Sequence, residues 1–175
     1  MMTLVIGGAA SGKSEYAENL ILRTRESHRI YLATMQPYDR ECQVRIQRHR
    51  AMRAEKGFET LERYTDLAGV SVPVDSVVLL ECMSNLCANE LYDPRGAGDR
   101  AADAILKGVD HLAAACGQLI VVSNEVFSGG SRYAGDTLRY LRLLGQVNCA
   151  LAERANNVCE VTYGLPVYHK GREPD

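Results

Sequence analysis

Apolar residues gather in short unbroken runs along the chain: Leu4-Val5-Ile6, Ile30-Tyr31-Leu32-Ala33-Thr34, Val77-Val78-Leu79-Leu80 and Leu119-Ile120-Val121-Val122. Runs of this kind, without polar alternation, read as strands buried on both faces, as in parallel sheets. Between them lie stretches with helical spacing. Tyr16, Ala17, Leu20 and Ile21 form one apolar stripe over 15–22, and Met83–Tyr92 is amphipathic. Ile105, Val109, Leu112 and Ala113 predict a helix from an Asp99 cap to about Cys116, closed by Gly117. Leu138, Leu141, Leu144, Val147 and Leu151 predict another. Asp39 is read as the N-cap of a helix to about Lys56, stopped by Gly57. Residues 58–75 show no regular period, and Val158–Thr162 with Leu165–Tyr168, around Tyr163-Gly164, predict a terminal pair of strands. Strand and helix alternate throughout, so the expected fold is three-layer α/β with a mostly parallel sheet, one domain over residues 1–175. Ligands of such sheets bind beyond the carboxyl ends of the strands. Thr34, Glu81 and Asn124-Glu125 all fall at that edge.

Composition narrows the partners. Net charge is −2, with 46% hydrophobic and 24% charged residues, so no broad basic field points to nucleic acid or an anionic membrane. Six cysteines are scattered without a CxxC pair, which argues against a zinc site and for reduced thiols. His28 and His111 read as surface residues. There is no apolar stretch of membrane-spanning length and no basic-then-apolar leader before the first strand, and the expectation is a cytoplasmic protein.

The chemistry begins at Gly7-Gly8-Ala9-Ala10-Ser11-Gly12-Lys13-Ser14, between a strand and a helix. In that context G-x-x-x-x-G-K-[ST] is a phosphate cradle. Glycines at both ends let successive N–H groups point inward, and the following helix adds its positive end. Lys13 supplies a mobile cation for the outer phosphates, and the Ser14 hydroxyl is placed to ligate Mg²⁺. Glu81 ends an apolar strand, where P-loop proteins carry the acid near the metal.

A second feature is the run holding Arg40, Arg45, Arg48, Arg50 and Arg53 around His49. On a helix Arg45, His49 and Arg53 lie four apart and share a face, with Cys42 and Ile46 able to form the buried side. Neutral imidazole is a nucleophile near pH 7, and neighbouring cations lower its pKa and keep it neutral.

With GGAASGKS at 7–14, LATMQ at 32–36, RIQRHR at 45–50, LLEC at 79–82 and SNEV at 123–126, the chain resembles the bifunctional adenosylcobinamide kinase/adenosylcobinamide-phosphate guanylyltransferase family of cobalamin assembly. The resemblance implies a RecA-like P-loop fold, a homotrimer, and two reactions. Adenosylcobinamide is phosphorylated by a nucleoside triphosphate (ATP or GTP), and GMP then passes from GTP to that phosphate through a guanylylated histidine. It places that histidine at His49 and a catalytic role on Lys13. Nucleotide contacts fall on Gly7–Ser14, on Thr34, Met35 and Gln36, on Arg50, Ala51, Met52 and Arg53, and on Glu62 and Glu81. Mg²⁺ falls on Ser14 and Glu81. Two positions depart from the family pattern: Ala10, where a long residue is common, and Phe127–Arg132, where a Gly-rich stretch ending in Val-Pro is usual.

Two other readings remain at this stage. One is a P-loop small-molecule kinase without guanylyl transfer, its arginine helix acting as a phosphate-clamping lid. The other is a RecA-like nucleic-acid ATPase, against which the balanced charge and few aromatics argue.

Overall fold

The computed structural model describes residues 1–26, 28–37, 40–126 and 133–174; within the helix at 40–55 it describes all side chains but those of 41, 42, 45 and 49. The expected cap at Asp39 and the divergent 127–132 segment lie outside the described residues.

Seven strands form one sheet: β1 (Met2–Gly7), β2 (His28–Ala33), β3 (Phe58–Glu62), β4 (Ser76–Glu81), β5 (Gln118–Asn124), β6 (Asn157–Thr162) and β7 (Leu165–Lys170). Their order is β3-β2-β4-β5-β1-β6-β7, and only β7 runs antiparallel. The apolar runs occupy the centre. Val77, Val78, Leu79 and Leu80 of β4 and Leu119, Ile120, Val121 and Val122 of β5 have no solvent exposure, as strands covered on both faces require. Helix α1 (Lys13–Leu22) covers one face with Ala17, Leu20 and Ile21 against Val5, Leu79, Ile120 and Val122. The other face carries α3 (Met83–Tyr92), α4 (Ala101–Ala115) and α5 (Gly135–Arg154), which bury Leu86, Ile105, Leu112, Leu144 and Leu151. The expected three layers are present.

Three local expectations change. Residues 58–62 form the edge strand β3, whose FETLE pattern has one buried anchor, Phe58. Asp99 does not cap α4: it lies in a 3-10 turn (Gly98–Arg100) and pairs with Arg139 instead. Helix α2 (Arg40–Glu55) holds Ile46, expected on its buried side, only half-buried, while Val44 is exposed and Arg53 is buried; the Cys42 side chain, expected beside Ile46, lies outside the described residues. Gly57 does end it, at φ +78°.

Candidate active site

Strand register gathers the site. Gly7 pairs with Asn124, Glu81 with Val122 and Ala33, and Ala33 with Glu62. Every carboxyl-end residue named from the sequence therefore sits along one edge.

At that edge the loop 7–14 turns on itself, with the Ser11 N–H donating to the Gly8 carbonyl at 3.3 Å. Gly12 caps α1 at φ +89° and supplies no side-chain cap, so the first N–H groups of the helix face the loop without an intrahelical acceptor. Gly7 is required by space and Gly12 by backbone. A Cβ on Gly7 would stand 2.5 Å from Ser11 Oγ and 2.6 Å from the Val161 carbonyl oxygen. Ala10 takes φ +54°, a left-handed conformation costing on the order of 1 kcal/mol for a residue with a Cβ. The β6–β7 turn braces the loop from behind: Tyr163 and Gly164 both have positive φ, and the Gly164 N–H donates to the Ser11 carbonyl at 2.8 Å. Lys13 is buried, its Nζ donating to the Gly8 carbonyl at 3.1 Å, which lays the ammonium across the mouth of the loop.

The Ser14 hydroxyl donates to Glu81 Oε1 at 2.5 Å. Among the described residues the second carboxylate oxygen, Oε2, is buried without a hydrogen bond of good geometry, the nearby Tyr31 hydroxyl notwithstanding, and Ser11 Oγ is buried unpaired as well. An unsatisfied buried carboxylate oxygen is costly. A hydroxyl and a carboxylate together make a hard-oxygen donor set that suits Mg²⁺ with its remaining positions filled by water and phosphate, so these residues fit the metal.

Thr34, next along the edge, is fully buried. Its hydroxyl donates to the Cys82 carbonyl and accepts from the Cys82 N–H, both at 2.8 Å. Its own carbonyl accepts from Asn89 Nδ2 at 2.8 Å. Thr34 thus ties the ends of β2 and β4 together. Met35 beyond it is part-exposed, and Gln36 Nε2 donates to Asp93 Oδ2 at 2.8 Å. The Arg95 side chain, then the Arg95 backbone N–H and Gln36, hold the Asp93 carboxyl well below the usual range.

Helix α2 reaches this edge by its C-terminal turns. The Arg53 guanidinium lies 3.5 Å over the Tyr31 ring centroid, buried at 7% exposure. Burial first, then the nearby Glu81 carboxylate, push the Tyr31 phenol up, while Arg53 pulls it down. Arg50 faces Glu62 at 3.9 Å, and Lys56 pairs with Glu18 at 2.5 Å. Tyr64 OH donates to Glu62 Oε2 at 3.1 Å. Ala51 and Met52 face solvent. His49 lies within α2, and its side chain is outside the described set.

The structure therefore brings Gly7–Ser14, Glu81 and Arg53 close to one strand end. It sets Arg50 with Glu62 on the β3 flank and leaves Ala51 and Met52 exposed. Sequence reading missed Tyr31, Asn89, Asp93 and the Gly164 brace. Only Tyr163-Gly164 left a local signal, as a two-residue hairpin turn with positive φ.

The family model for "Cobinamide kinase / cobinamide phosphate guanyltransferase" matches residues 3–168. The chain is 36% identical to the bifunctional adenosylcobalamin biosynthesis protein CobU of Escherichia coli, over 95% of this chain and 98% of that one. It is 34% identical to the bifunctional adenosylcobalamin biosynthesis protein CobP of Pseudomonas aeruginosa, over 98% of each. Among solved structures it resembles a KaiC-like protein from Pyrococcus horikoshii (TM-score 0.53, 14% identity, 98% of this chain and 80% of that one). It also resembles the flagellar accessory protein FlaH of Methanocaldococcus jannaschii (TM-score 0.51, 11% identity, 98% and 78%). These two structural likenesses bear on the fold alone, a RecA-like P-loop architecture.

Proposed function

From the cobinamide kinase / cobinamide phosphate guanyltransferase family, to which this chain belongs, we infer a bifunctional transferase of cobalamin assembly. In the first reaction the side-chain hydroxyl of adenosylcobinamide attacks the γ-phosphorus of ATP or GTP. The bond to the β-bridging oxygen breaks, the hydroxyl proton is lost, and a nucleoside diphosphate leaves. In the second, an imidazole nitrogen of His49 attacks the α-phosphorus of GTP and pyrophosphate leaves. The phosphate of adenosylcobinamide phosphate then attacks the same phosphorus, breaks the P–N bond and frees His49, giving adenosylcobinamide-GDP.

One observation supports placing both reactions at one edge. Helix α2, which contains His49, is docked by Arg53 against the strand end where Ser14 meets Glu81. The loop N–H groups and Lys13 bind and orient the phosphates. Arg53 and Arg50 stabilise charge on the α-phosphate as the P–N bond forms. Ser14 and Glu81 would hold Mg²⁺, which would supply charge neutralisation for the phosphates. Met35, Gln36 and Glu62 serve as further nucleotide contacts, while Thr34, expected among them, is fully buried with its hydroxyl, N–H and carbonyl engaged by Cys82, Glu81 and Asn89, and holds the strand end on which they stand. We assign the working form as a cytoplasmic homotrimer, checked by light scattering on the purified chain; no described helix is long and apolar enough to cross a membrane.

The test is covalent labelling. Incubation with [α-³²P]GTP should give acid-labile, base-stable label, as a phosphoramidate requires, and release pyrophosphate. His49→Asn should take no label and still phosphorylate cobinamide. Label on lysine, or unchanged guanylyl transfer in His49→Asn, refutes the assignment and leaves a kinase alone.

A further inference from the structure

Among its described side chains, helix α2 sets little apolar surface against the body of the protein. Val44 and Met52 are exposed and Ile46 is half-buried. Its other described tethers, Arg50–Glu62 and Lys56–Glu18, join side chains at 51% and 37%, and at 40% and 15%, exposure. Pairs as open as the first contribute little. The desolvated tether is Arg53 on Tyr31.

Tyr31 is built to receive it. Its register opposite Leu79 puts it on the face of the sheet covered by α1, two residues before the level of Glu81. Phe58 stands perpendicular to its ring at 6.3 Å, fixing the ring plane from β3. A rigid aromatic face beside a carboxylate accommodates a buried planar guanidinium, which stacks where a lysine ammonium would not. Arg53 lies one helical turn beyond His49.

We propose that Tyr31 is a positioning residue for guanylyl transfer: its ring is the platform that holds Arg53, and with it the C-terminal turns of α2, beside the Glu81 end of the site. This rests on the two-step reading above. Tyr31 touches no reacting atom; it sets where the helix bearing His49 stands relative to the α-phosphate. Because small misplacements of reacting groups are amplified in rate, losing the platform should be felt most in formation of the covalent label.

The test is single-turnover labelling of the full chain with saturating [α-³²P]GTP in wild type, Tyr31→Phe, Tyr31→Leu, Arg53→Ala and the Tyr31→Leu/Arg53→Ala double variant. Tyr31→Phe keeps the ring and should label within about twofold of wild type. Tyr31→Leu should label about tenfold more slowly, the size expected of a desolvated cation–π contact. The double variant should be no slower than Arg53→Ala, because Tyr31 acts only through Arg53. Additive effects, a Tyr31→Leu rate equal to wild type, or a Tyr31→Phe rate as slow as Tyr31→Leu would overturn the proposal while the two-step reading stands. A wild-type chain that takes no label overturns that reading and the proposal with it. Should Tyr31→Leu fail to fold, Arg53→Ala still decides, since labelling at the wild-type rate without Arg53 refutes the platform.

Discussion

Replacing Thr34 by Val keeps the shape of the side chain and removes the oxygen that ties β2 to β4. In the native chain that oxygen accepts from the Cys82 N–H and donates to the Cys82 carbonyl, and Thr34 is fully buried. The Cys82 N–H would be left without that partner, at about 1–3 kcal/mol for a buried polar group, while the Cys82 carbonyl keeps the Leu86 N–H at 3.2 Å. The expected loss is roughly 2 kcal/mol in all. For a chain of this length each kcal/mol lowers Tm by about 2–4 °C, so the drop should be about 4–8 °C. Thr34→Ser keeps both bonds and gives up one methyl, a loss of about 1 kcal/mol. Thermal unfolding followed by circular dichroism ranks the three proteins, and equilibrium binding of GTP below the transition separates stability from recognition. GTP affinity should stay within about threefold, because a hydroxyl occupied on both sides by Cys82 has no proton to offer a nucleotide. A Thr34→Val protein that melts within 2 °C of wild type, yet binds GTP ten times more weakly, would refute this reasoning and turn the hydroxyl toward the ligand.

Lys13→Ala should abolish both the kinase and the guanylyl reaction, since one cradle serves each; near-normal guanylyl transfer in that variant would show a second nucleotide site. Glu81→Gln should need more Mg²⁺ for half-maximal kinase rate, read from a metal titration, and an unchanged titration would remove Glu81 from the metal's surroundings. Asp93→Ala should weaken GTP binding a few-fold by releasing Gln36. The Asp93 carboxyl is depressed in the fold by Arg95 and Gln36, so its contribution is complete above the ordinary carboxylate range near 4. It is lost only as pH falls through the lower folded value. The Asp93→Ala effect on GTP affinity should therefore be the same at pH 8 and pH 5; an effect that fades by pH 5 would mean Asp93 titrates above the ordinary carboxylate range.

The parts of this protein that could be read from sequence are those whose physics is local. A phosphate cradle is made by neighbouring backbone groups, so its glycines, Lys13 and Ser14 announce it without the rest of the chain. Strands buried on both faces announce themselves in the same way, since every position along them must be apolar, and β4 and β5 are of this kind. The edge strand β3 buries chiefly Phe58 and is otherwise polar, which leaves no period to detect. Asp99 has the residue type of a cap, but a 3-10 turn and Arg139 compete for it, and the outcome depends on a helix forty residues away. Tyr31 was hidden for the opposite reason. In the run Ile30–Thr34 an aromatic residue reads as core, and by burial it is core. What distinguishes it is the arrival of Arg53 across its face, a contact between a strand and a helix twenty-two residues further on. Local pattern can thus show where phosphate binds, while the element that brings a second reactive group to that phosphate is set by contacts between segments. Among the described residues those contacts are polar and aromatic, so the hydrophobic periodicity that located the strands gave little signal for where α2 docks.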